Sequence, residues 1–221
     1  LVILGERGSG KSVLAQRLAL DLVESRSDDD PVPVIFGIHS WDTAGKTLQQ
    51  WMVACLLRDY NLAGVGTDRS KLATALVEHG RILPILDGFD EIADGLRDEA
   101  LRTLSDMSMP LVLTSTTDTY TKAVRQGRTL SRAAVIVIGG LRADDLAGYL
   151  PRTTPSDTVE KWEPVLGLLG AHPGGLEATP AGAALTSPLM VGLARSIYSE
   201  GPDDPVVLTT GRFADARAVQ A

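Results

Sequence analysis

Residues 5–12 read Gly5-Glu6-Arg7-Gly8-Ser9-Gly10-Lys11-Ser12, and the apolar run Leu1-Val2-Ile3-Leu4 stands directly before them. The eight residues satisfy G-x-x-x-x-G-K-[ST], the pattern of a loop that wraps phosphate groups. Gly5, Gly8 and Gly10 are expected to let the backbone turn with positive φ and aim successive N–H groups inward at phosphate oxygens. Lys11 brings a positive charge toward β- and γ-phosphates, and the Ser12 hydroxyl suits ligation of Mg²⁺. Residues 12–23 repeat apolar side chains at helical spacing, which points the positive end of a helix at the same phosphates. The candidate nucleotide-binding residues are Gly5, Glu6, Arg7, Gly8, Ser9, Gly10, Lys11, Ser12 and Val13, with Ser12 also a candidate metal ligand.

A second motif lies about 80 residues on, where Arg81-Ile82-Leu83-Pro84-Ile85-Leu86-Asp87-Gly88-Phe89-Asp90-Glu91 reads as an apolar strand ending in acids. A carboxylate there can hold the hydration shell of Mg²⁺ while another positions water. Asp87 is the candidate for the metal, because an acid closing a buried strand is otherwise costly. Asp90 and Glu91 are the candidate catalytic residues; the competing reading makes them an acidic N-cap for the next helix.

Strands alternate with helices between and after these motifs, which favours a parallel sheet covered on both faces. Strands are expected at 33–38, 81–87, 111–114 and 133–138 besides the first, and helices at 47–62, 70–79, 96–107 and 120–125. Gly139-Gly140 punctuates the chain. Beyond it the pattern is helical, at 144–150, 162–169 and 189–198, between Pro- and Gly-rich turns such as Thr153-Thr154-Pro155-Ser156 and Gly174-Gly175. The expected fold is a three-layer α/β/α sandwich with a five-stranded parallel sheet over residues 1–140, followed by a small helical subdomain over 141–221.

The chain is 44% hydrophobic and 22% charged over 221 residues, ordinary values for a globular domain with ample core. A net charge of −7 lacks the basic footprint of a nucleic-acid binder, so no direct nucleic-acid partner is expected. The lone Cys55 sits in an apolar pattern and reads as a small core residue in a reducing compartment. No run reaches the roughly 18 apolar residues that cross a bilayer, and no signal peptide is visible, so a soluble, cytoplasmic segment is expected. The missing initiator methionine and the uncapped, helix-like stretch 213–221 suggest a fragment of a longer protein. His39, His79 and His172 are too scattered for a metal cage and read as structural. Trp41 and Asp42 could approach the nucleotide pocket, but packing and capping explain them equally well.

Taken together, Gly5-Glu6-Arg7-Gly8-Ser9-Gly10-Lys11-Ser12 and Leu86-Asp87-Gly88-Phe89-Asp90-Glu91 resemble the NACHT family of signal-transduction NTPases of the STAND class. The D-G-h-D-E form is more specific than either motif alone. Pro110-Leu111-Val112-Leu113-Thr114-Ser115 resembles the family's next core strand, which ends in an arginine that senses phosphate; here Thr116 stands in that place. Arg125 and Arg128 of the following segment are candidate substitutes for that arginine, with a solvated surface as the favoured reading. Thr186-Ser187-Pro188-Leu189-Met190 resembles the motif whose proline packs on the nucleotide base, which makes Pro188 a candidate base contact; a proline in a helix's first turn explains it as well. The resemblance implies ATP or ADP with Mg²⁺, ATP in preference to GTP, and slow hydrolysis governed by nucleotide state. It further implies self-association in the ATP-bound form, with effector and sensor domains attached elsewhere, in signalling or defence. A non-hydrolysing nucleotide-bound scaffold and a P-loop phosphotransferase stay open as alternatives.

Overall fold

Five short apolar runs pair into one all-parallel sheet, ordered β2-β3-β4-β1-β5, in the computed structural model. The structure describes residues 1–210 apart from 61, 63–65, 127–129, 131–132, 156–157 and 172–175. Arg128, Ser156, His172, Gly174, Gly175 and the stretch 213–221 therefore lie outside the described residues. The strands are β1 (Val2–Gly5), β2 (Val32–Gly37), β3 (Ile82–Asp87), β4 (Val112–Ser115) and β5 (Val135–Ile138). In β1 and β4 every residue is buried, the mark of strands covered on both faces. Pro84 is tolerated inside β3 because β4 joins β3 only at Ile85 and Leu86, leaving that flank of Pro84 without a ladder.

Two compact units divide the chain: Leu1–Glu6 with Lys11–Ile138, and Arg7–Gly10 with the chain from Gly139 onward. In the first, side chains alternate between faces of the sheet as a period of two requires. Val2, Leu4, Val34, Phe36 and Leu86 join one core with Trp51, Met52, Val77, Leu101 and Leu104, while Ile3, Ile85 and Val112 join another with Ala15 and Leu18. Helix α1 (Lys11–Ser25) thus covers one face, and α2 (Leu48–Asp59), α3 (Thr67–Glu78), α4 (Asp94–Asp106) and α5 (Thr117–Gln126) belong to the other. The start of α2 is fixed by a reciprocal cap in which Gln50 N donates to Thr47 Oγ1 at 3.2 Å and Thr47 N donates to Gln50 Oε1 at 3.1 Å. The run at β5 behaves differently from its apolar sequence: it is an edge strand, and Val135, Ile136 and Val137 are exposed.

Among its described residues the second unit is built from α6 (Ala143–Thr153), α7 (Glu163–Ala171), α8 (Pro180–Leu185) and α9 (Pro188–Glu200), with three 3₁₀ turns. Leu146, Leu150, Val165, Leu169, Leu185 and Val191 pack around Trp162, whose indole N–H is satisfied by Ser199 Oγ at 3.1 Å. Gly182 lets α8 press against the preceding turn: a methyl group there would run into the carbonyl of Leu176.

Candidate nucleotide site

Gly5 is the last residue of β1 and Lys11 the first of α1, so the phosphate loop spans the connection between them. Gly8 has φ 76° and Gly10 φ 89°, the left-handed region in which a side chain is strained. Gly5 differs from the sequence expectation. It is not among the positive-φ glycines, because its backbone is extended in β1 and pairs in register with Ile138. Within the second unit the Gly8 carbonyl accepts hydrogen bonds from Ser187 Oγ and Leu189 N, both at 3.2 Å. Lys11 Nζ donates to the carbonyls of Gly5 at 3.1 Å and Glu6 at 2.9 Å, so the ammonium lies over its own loop. Glu6, Arg7, Ser12 and Val13 are exposed. Ser9 Oγ is buried without a partner among the described residues, a polar atom that a phosphate oxygen would satisfy.

The acidic motif occupies the carboxyl end of β3. Asp87 pairs in register with Gly37 of β2, and the chain then turns sharply at Gly88, φ 84°, into a 3₁₀ turn, Phe89–Glu91. Thr114, fully buried in β4, holds this turn from inside the sheet: its hydroxyl donates to Asp87 Oδ1 at 2.5 Å and accepts from Gly88 N at 2.9 Å. Asp90 is held from two sides. Its Oδ1 accepts from Thr116 N at 3.0 Å, and its carbonyl accepts from Arg97 Nη2 at 2.6 Å, while Arg97 also pairs with Asp94. Neither Asp90 nor Glu91 caps the next helix: the N-cap of α4 is Ala93, which removes the capping explanation.

Thr114, Arg97 and His39 are contributions that sequence reading did not assign to the site. Thr114 left only a weak signal, a hydroxyl where an apolar strand has no need of one. Thr114→Val should destabilise the first unit by about 1–3 kcal/mol, since a half-buried carboxylate oxygen and a half-buried N–H lose their partner together. Chemical denaturation checks this, with Thr114→Ser expected to recover most of the loss. Thr116 faces inward, and its hydroxyl meets that of Thr119 at 2.9 Å. Arg125 is exposed in the last turn of α5.

Pro188 occupies the first turn of α9 and borders a groove of about 590 Å³ in the second unit, shared with Leu141, Tyr149 and Val191. Trp41 is only 3% exposed and packs on Trp51, a structural placement. Cys55 is equally buried, and burial pushes its thiol up, away from the reactive thiolate. Among the described residues no group of three or more His, Cys, Asp or Glu side chains could hold a metal ion.

A parallel sheet in this strand order, with a glycine loop leaving β1 and an acidic turn leaving β3 at the same carboxyl edge, defines a P-loop NTPase. The family model of the NACHT domain matches residues 1–157, and the chain belongs to the NACHT family, nucleotide-binding NTPases of the STAND type. No curated protein matches the chain. Among the described residues no helix is long and apolar enough to cross a membrane.

Proposed function

We propose that this chain is an ATP-binding, slowly hydrolysing molecular switch, with residues 1–140 as the nucleotide-binding core and 141–221 as a helical subdomain. The observation that carries the reading is the placement of Asp87, Asp90 and Glu91 at the sheet edge where Gly5 ends β1 and Lys11 begins α1. Loop N–H groups and Lys11 bind the phosphates, Ser12 and Asp87 hold Mg²⁺, and Pro188 is the candidate contact for the base. Mg²⁺ held there would neutralise negative charge on the transferring phosphate groups. Glu91 accepts a hydrogen bond from the attacking water; as the water oxygen bonds to the γ-phosphorus, the bond to the β,γ-bridging oxygen breaks, giving ADP and phosphate, and the proton passes to solvent. Asp90, tied to Thr116 N and Arg97, holds the turn that carries Glu91. Nucleotide state would shift domain opening and self-association only through unequal affinity for the two arrangements, with effector and sensor domains as further partners.

Asp87→Asn tests the metal assignment. A neutral amide cannot replace the charge that holds the metal's water shell, so the Mg²⁺ dependence of ATP binding should flatten. Calorimetric titrations with and without Mg²⁺ check this, and equal Mg²⁺ dependence in wild type and variant would place the metal elsewhere.

A further inference from the structure

Two exposed side chains stand beside the proposed site on two turns, each anchored by a buried apolar residue. After β2 the chain forms a 3₁₀ turn, Ile38–Ser40, anchored by Ile38, fully buried, and Trp41. Ser40 Oγ donates to the Gly37 carbonyl at 3.1 Å and accepts from the Trp51 indole at 3.2 Å, which fixes the turn further. After β3 the turn Phe89–Glu91 is anchored by Phe89 and Ile92. His39 and Glu91 are the outward members of these turns, 56% and 63% exposed, and they face each other with Nδ1 and Oε2 3.4 Å apart. Both fold back over a glycine: a methyl on Gly37 would meet the imidazole at 2.8 Å, and one on Gly88 would meet the Glu91 carboxyl at 3.1 Å. A side chain at either strand end would therefore have to displace a member of the pair.

The direction of the contact matters. β3 has β2 on one side and β4 then β1 on the other, so β1 lies two strand spacings away, roughly 10 Å. His39 holds Glu91 toward β2, on the side away from the strand that ends at Gly5. We propose that His39 is a positioning residue that restrains Glu91 in an off-line orientation, so that hydrolysis requires the carboxylate to leave the imidazole. The inference rests on the reading of Glu91 as the water-polarising group. Because an exposed side-chain contact of this kind biases an equilibrium only modestly, release should accelerate turnover roughly two- to fivefold.

The experiment compares ATP turnover and KM of the full chain with those of His39→Ala, His39→Asn, Glu91→Gln and the His39→Ala/Glu91→Gln double variant. His39→Ala should raise kcat by that factor with KM unchanged. His39→Asn, which keeps a donor on the γ-carbon, should show a smaller rise. The double variant should show none over Glu91→Gln alone. A His39→Ala kcat at or below wild type, or a rise that survives in the Glu91→Gln background, overturns the restraint. Full turnover by Glu91→Gln alone would instead overturn the underlying assignment of Glu91, and the two failures are separate readings of one data set.

Discussion

Lys11→Ala should weaken ATP binding roughly ten- to a hundredfold, the scale of losing a charge-assisted hydrogen bond to phosphate. The ammonium already lies over the loop, held by the carbonyls of Gly5 and Glu6, so little ordering entropy is needed to bring it to a ligand. The glycine backbone that orients the N–H groups is independent of this side chain, because the positive φ angles belong to Gly8 and Gly10. Folding should therefore survive the substitution. Calorimetry with ATP measures the affinity, and a thermal melt of the ligand-free variant checks the fold; an unchanged Kd would remove Lys11 from the site.

What could be read from the sequence, and what could not, follows from the range of the interactions. The loop and the Asp87 strand end are contiguous, and residue type alone encodes their geometry, so both were legible. Gly5 was legible as a motif position but not as a conformation: the strand extends through it. Thr114 reaches Asp87 across 27 positions of sequence, and Thr116 reaches Asp90 across 26. Those contacts exist because β4 lies beside β3, a neighbour relation that hydrophobic periodicity does not encode. His39 is the same case on the other flank, brought to Glu91 by β2. Helix starts drifted for a local reason. Polar first turns such as Asp94 in α4 and Thr117 in α5 precede the apolar residues that made each helix visible. Helix α8 passed unread because Pro180–Leu185 is short and largely made of Ala and Gly, with little periodicity to see.

Glu91→Gln should keep ATP binding and lose hydrolysis by roughly a hundredfold, the scale of removing a positioned carboxylate that polarises the attacking water. The amide preserves shape and reach but carries no negative charge to polarise water. The turn beneath it should be unaffected, since it is held by Thr114, by the Thr116 N–H and by Arg97, none of which touches the Glu91 carboxyl. Asp90→Asn should act differently: it weakens a tie that places the turn, so stability and turnover should fall together. With Thr116 buried against Thr119 and no arginine in that place, wild-type turnover is itself expected to be slow. Single-turnover assays across a protein concentration series separate intrinsic chemistry from any gain through self-association. Fast hydrolysis in wild type that is indifferent to Glu91→Gln would remove the water-polarising role from this carboxylate, and with it the reason for the restraint by His39.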